Sequence, residues 1–114
     1  MTAVVKARRL DDVVILDING RLTLGEGAVT LREAIQKLLE DGDRKFLLNL
    51  AEVDYVDSGG LGELITDFTT VRARGGQLKL LNLTRRIQDL LQITKLLTVF
   101  DSFDNESEAI KSMR

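Results

Sequence analysis

Phe46-Leu47-Leu48-Asn49-Leu50 is an almost continuous apolar run, and not far beyond it comes Asp57-Ser58-Gly59-Gly60-Leu61-Gly62. A short run that is apolar on both faces is the pattern of a central strand covered on two sides. Behind the glycines, Leu61, Leu64 or Ile65, Phe68 and Val71 recur with helical period on one face. Glu63 and Asp67 then stand in the early turns and Arg72 and Arg74 in the last, each matching the helix dipole as solvated charges. Gly75-Gly76 ends that helix, and the segment Ala51 to Asp57 reads as the loop that feeds it.

Working outward, Val4 to Arg9 and Val13 to Ile18 are β-rich runs parted by Asp11-Asp12, which predicts an antiparallel hairpin. Val14, Leu16 and Ile18 point one way and Val13, Ile15 and Asp17 the other, so the second strand is expected to be covered on both faces. Thr23 and Glu26 have capping-box spacing ahead of the stripe Ala28, Leu31, Ile35 and Leu38. Glu33 and Lys37 are placed to pair across one turn, and Gly42 suits a left-handed stop. Downstream, Leu78, Leu80 and Leu81 mark a strand, and Thr84 can cap a helix carrying Ile87, Leu90 and Leu91. A short strand is expected around Val99 and Phe100, and Asn105 with Glu108 opens a terminal helix bearing Ala109, Ile110 and Met113. The order β-β-α-β-α-β-α-β-α predicts an α/β fold in one domain over 1–114. Its sheet would be mixed but mostly parallel, of four to five strands, with about four helices and right-handed crossovers.

Composition narrows the function. The chain has 114 residues, 44% of them hydrophobic, which suits one domain with its own core. Its net charge is −2, from 16 basic and 18 acidic residues, so no overall field attracts nucleic acid or anionic lipid. It has no Cys, which removes thiol catalysis, disulfides and Cys-ligated metals, and no His, which removes the usual general base and commonest metal ligand. No apolar run approaches the ~20 residues of a membrane span. The expectation is a cytoplasmic, non-enzymatic protein with no cofactor, no direct nucleic-acid contact and no membrane insertion.

The stretch Asp57 to Gly62 is the one constellation with chemistry. Three glycines in four positions permit a sharp turn and bare the backbone where a strand's exit becomes a helix. Ser58 can be simply an N-cap, accepting from first-turn amides, or those amides can form an anion site. Spacing removes several catalytic readings. No Gly-Lys pair supports a P-loop, Ile65 stands where a dinucleotide fingerprint needs its third glycine, and Val56 with the missing His excludes a nucleophile elbow. An aspartyl-phosphate receiver wants a carboxylate cluster after its strands, whereas Asp11-Asp12 precedes one. Tyr55 is assigned to packing beneath the loop, and Arg85-Arg86 to solvent.

The sequence also resembles a family. Asp57-Ser58-Gly59-Gly60-Leu61-Gly62 is similar to the Asp-Ser-Ser/Thr-Gly-Leu-Gly signature of STAS domains, specifically bacterial anti-sigma factor antagonists. Ile18-Asn19-Gly20-Arg21-Leu22, Leu48-Asn49-Leu50, Gly75-Gly76-Gln77-Leu78 and Ile93-Thr94-Lys95-Leu96 extend the likeness over nearly the whole chain, in order. The resemblance implies a switch worked by protein binding. Ser58 would be the phosphoacceptor, and Asp57, Gly59, Gly60 and Gly62 the loop around it. Arg21, Thr23, Ser58, Leu61 and Glu63 would meet the partner. That partner would be an anti-sigma factor that is also a serine kinase, bound when Ser58 is unphosphorylated and released after phosphorylation, with a separate phosphatase restoring the hydroxyl. ATP and Mg²⁺ would belong to the kinase. Arg21 and Thr23 stand where such antagonists commonly carry an acidic residue, Gly59 replaces a second hydroxyl residue and Lys95 a frequent glycine. Two other readings of the residues are a STAS subunit of a stress-sensing or lipid-transport assembly, and a small anion- or nucleotide-binding protein using the amides of residues 59–62.

Overall fold

The computed structural model describes residues 3–114. Strands β1 (Val4–Leu10) and β2 (Val13–Leu22) form the expected antiparallel hairpin, with Asp11 at φ +56° in its turn. Helix α1 (Glu26–Glu40), β3 (Lys45–Val56), α2 (Ser58–Ala73), β4 (Gln77–Leu81), α3 (Arg85–Ile93), β5 (Ser102–Phe103) and α4 (Glu106–Ser112) follow. The sheet order is β1-β2-β3-β4-β5, and every pair after the first is parallel. A parallel sheet built in sequence order by crossovers of one hand must lay its crossover helices on one face. Ile35 of α1, Leu64 of α2 and Ile87 of α3 accordingly share one core with Val14, Leu16 and Ile18. Val13 and Ile15 face the other way, into a smaller core with Leu47, Leu81, Ala109 and Ile110 of α4, and Met113 just after it.

The small α4 leaves part of its face uncovered, and polar side chains occupy the border. Arg8 Nε donates to Asp17 at 2.6 Å, Asn49 Nδ2 donates to Asp17 at 2.8 Å, and Asn82 Nδ2 donates to Asn49 Oδ1 at 3.1 Å. Arg8 also reaches Glu106 on α4. The Arg8 guanidinium, then Asn49, holds the Asp17 carboxyl below the usual carboxylate range. The polar exception in the β2 pattern therefore sits where the second core ends.

Several local expectations are revised. The Thr23–Glu26 capping box does not form: Gly25, at φ +94°, precedes α1 with no side-chain cap, and Thr23 contributes only its carbonyl, to Ala28 N–H at 3.1 Å. Leu39, not Leu38, is the fully buried residue at the end of the α1 stripe, while Leu38 packs at its edge. Glu33 and Lys37 do not close an ion pair. Residues 51–56 are strand rather than loop, because β3 outruns β4 and goes on pairing with β2 through Leu22 and Val56. The last strand lies at Ser102–Phe103, since Phe100 turns into the core and packs edge-on to Phe68 at 5.1 Å. Gly42 does take the left-handed stop, and Thr84 and Asn105 cap their helices by accepting from Ile87 N–H at 3.2 Å and Glu108 N–H at 3.0 Å.

Candidate functional site

The overhang of β3 carries the chain past β4, with β2 alongside, and delivers it straight into α2. Asp57, in extended conformation, is the N-cap of that helix, and its Oδ1 accepts from Gly60 N–H at 2.8 Å. The same carboxylate accepts from Leu24 N–H at 3.1 Å, so one side chain ties the β2–α1 connection to the start of α2. Those amides, Gly60 first and then Leu24, hold the Asp57 carboxyl below its ordinary range. This tie explains the failed capping box at Thr23: the chain there is set by Asp57, not by its own side chains.

With Asp57 as cap, Ser58 becomes the first helical residue and not the cap that its spacing allowed. It is exposed, and among the described residues no partner engages its hydroxyl. The glycines around it divide by role. A Cβ on Gly60 would overlap the Leu22 carbonyl oxygen, and one on Gly59 would come within 2.5 Å of Leu24 Cβ. Gly62 faces open space. Gly59 and Gly60 thus let α2 lie against the β2–α1 connection, while Gly62 meets no such demand. Arg21 is exposed on β2, paired opposite Tyr55, and Thr23 is half-buried on the connection that follows.

Two expected partner residues turn inward. Leu61 belongs to the main core, and Glu63, only 7% exposed, faces α1 with Arg32 Nε 3.4 Å from its Oε1. Asp67, one turn on and 2% exposed, is buried too, so these carboxylates are not the solvated charges their sequence suggested. Glu63 Oε2 and Asp67 Oδ2 lack hydrogen-bond partners. Burial, reinforced by Glu63, pushes the Asp67 carboxyl up to about 9, so that it is protonated at neutral pH. Two carboxyls and a guanidinium make a salt-bridged helix contact, and no group of three or more potential metal ligands is gathered among the described residues.

Tyr55 does not pack beneath the loop. It is half-buried between two cations, with the Arg21 guanidinium 4.9 Å and that of Arg86 5.8 Å from the ring centre. Arg85, 89% exposed, lies 3.4 Å from Asp89 one turn on. The region presents an accessible hydroxyl on the first turn of α2, and the Asp57 carboxylate ties that turn to the β2–α1 connection.

The STAS domain family model matches residues 4–109. This chain belongs to the STAS domain family. The anti-sigma-B factor antagonist of Bacillus subtilis is 34% identical over 97 residues, which cover 85% of this STAS domain and 87% of the relative. The crystal structure of Thermotoga maritima TM1081 superposes with a TM-score of 0.88 at 28% identity, over 96% of this chain and 94% of that one. The phosphorylated form of the Bacillus cell fate determinant SpoIIAA shares the fold, with a TM-score of 0.76 at 20% identity over 97% and 100% of the two chains. Within this STAS domain Lys95 adopts φ +62°, the left-handed region that favours glycine. Among the described residues no helix is long and apolar enough to cross a membrane.

Proposed function

We propose that this STAS domain is an anti-sigma factor antagonist whose protein binding is switched by phosphorylation of Ser58. The observation that carries the reading is the division of labour between adjacent residues. Asp57 does the capping, which leaves the Ser58 hydroxyl exposed and unengaged on the first turn of α2. A kinase can reach such an oxygen without unfolding anything. Phosphate there adds about −1.5 to −2 charges, and the helix N-terminus meets them favourably by ~0.3–1 kcal/mol. Burying the same dianion under a partner costs several kcal/mol unless a cation waits for it. Asp57, already ionised beside it, adds repulsion. The modification therefore acts on the interface and spares the scaffold.

The partner in this reading is an anti-sigma factor with serine kinase activity, and a phosphatase reverses the mark. The protein works in the cytoplasm as one domain and catalyses nothing itself. The relationship to the Bacillus subtilis anti-sigma-B factor antagonist supports the partner class. The fold also matches both the phosphorylated and unphosphorylated forms of SpoIIAA, at TM-scores of 0.76 and 0.73, as a switch that keeps its scaffold would. An anion-binding role for the glycine amides is disfavoured because the Asp57 carboxylate already occupies Gly60 N–H.

The test is capture from the native cytosol with wild type and Ser58→Ala, followed by incubation of the captured kinase with ATP and mapping of the modified residue by mass spectrometry. Phosphate on Ser58, with loss of the captured protein once it is added, is the expected result. Phosphate elsewhere, or undiminished binding by phosphorylated protein, overturns the proposal.

A further inference from the structure

Beside the Ser58 turn lies a surface whose character runs against the rest of the chain. An open groove of about 560 Å³ is lined by Val56, Arg85, Arg86, Asp89, Leu90 and Ile93. Val56 ends the β3 overhang, so the groove begins two residues before Ser58. Ile93, at the end of α3, is 79% exposed, and Leu24, packed against Gly59, is 77% exposed. These are the two most exposed large hydrophobic side chains among the described residues, and they flank the same stretch of chain. Scattered exposed aliphatics need no explanation, but Val56, Leu90 and Ile93 lining one groove are the anatomy of a contact surface.

Charge decides what that surface fits. The protein is acidic overall, yet Arg85 and Arg86 line this groove with one carboxylate, Asp89, which pairs with Arg85, and Arg21 shares the Tyr55 ring with Arg86. Arg21 and Arg86 are not loose. Each lies over Tyr55, which holds the guanidinium planes in place and leaves their N–H edges available for carboxylate. Preorganised guanidinium groups lose less freedom on binding and pair with carboxylates in bidentate geometry.

We infer that the groove between Val56 and α3 docks an acidic segment of a protein partner, with an apolar side chain set against Val56, Leu90 and Ile93 and carboxylates on Arg86 and on Arg21, its neighbour across Tyr55. This deepens the antagonist reading, on which the identity of the partner rests, by assigning the chemistry of the partner's contact face. Nucleic acid is the poorer fit, because no aromatic ring among the described residues lines the groove and Tyr55 beside it is already covered by two guanidinium groups, which leaves bases nothing to stack on.

The experiment titrates the full chain against two fluorescent peptides identical in a central leucine pair, one flanked by glutamates and one by lysines. A single-stranded oligouridine serves as the third probe. The glutamate peptide is expected to bind, to weaken about tenfold or more in the Arg21→Glu, Arg86→Glu double variant and in Ile93→Asp, and to dissociate as salt rises. Equal binding of both peptides, no binding of the glutamate peptide, indifference to these substitutions, or preference for oligouridine overturns the inference. Thermal melts confirm that the variants fold, and Arg86→Lys, which keeps charge without the stacked fork, is expected to fall between wild type and reversal. The outcomes separate from those of the switch. If a captured partner depends on Ser58 but ignores both arginine reversals, the groove inference fails while the switch stands. If the peptide docks as described yet Ser58 accepts no phosphate, the switch fails and the groove stands.

Discussion

Two turns of α2, Asp57–Gly60 and Glu63–Asp67, both carry carboxylate side chains and lie side by side in the chain, yet their surroundings treat negative charge in opposite ways. In the first turn Asp57 accepts from two backbone amides and stays ionised. Two turns further in, Asp67 is sealed against α1, shares its surroundings with Glu63 and keeps its proton. The helix N-terminus supplies donors and water, whereas the interior supplies neither, so only the first turn can take an added phosphate without rearranging. The difference shows how one helix can serve both as a switch surface and as a packing element.

The most damaging change to that arrangement is Gly60→Ala. Its Cβ meets a backbone oxygen that cannot swing aside, and denaturant titration is expected to show a loss of about 3 kcal/mol, the upper end for forced overpacking. Next comes Asp67→Asn. The folded-state pKa of Asp67 is raised, so its contribution to stability is fully present near pH 4 and drains away as pH climbs towards 9. The wild type should therefore weaken between those values, and the amide variant should flatten the slope and be the more stable of the two at pH 8, by a few kcal/mol at most after the coupling to Glu63 is allowed for, on the order of 1.4 kcal/mol per pKa unit. An unchanged slope would mean that the second turn is not hostile to charge after all. Below pH 4 the sign reverses, because Asp17 and Asp57 have lowered values and their stabilisation is lost as they protonate.

Gly62→Ala is expected to stabilise by roughly 0.5–1 kcal/mol, since it faces open space in a helix, and so to contrast with Gly60 two residues away. Smallest is Ser58→Asp, an imperfect mimic of the phosphate, which should shift the unfolding free energy by no more than ~0.5 kcal/mol. A large loss there would show that the first turn does not accept charge and would break the comparison at its root.

The hairpin, the Thr84 and Asn105 caps and the two-faced pattern of β2 were legible because each depends on residues that are neighbours in the chain or on strict alternation. Ser58 was legible as the residue to watch, though not as the first helical position. Asp57 and Ser58 are both competent caps, and spacing alone cannot choose between them. The buried carboxyls are not legible from polarity, which by itself points a carboxylate to solvent. The signal was the stripe Gly60, Glu63, Leu64, Asp67 and Val71, all buried on α2. The Thr23–Glu26 cap failed for the opposite reason, a local pattern overruled by a carboxylate more than thirty positions away.

Order and periodicity by themselves settled the alternation of strands and helices, the parallel sheet and the glycine-rich turn, because backbone conformation answers to near neighbours. Which carboxylate caps α2, which is protonated, and how Arg21 and Arg86 come to share one tyrosine were decided only in three dimensions. Each depends on what a distant segment lends or withholds: an amide, a guanidinium, or water.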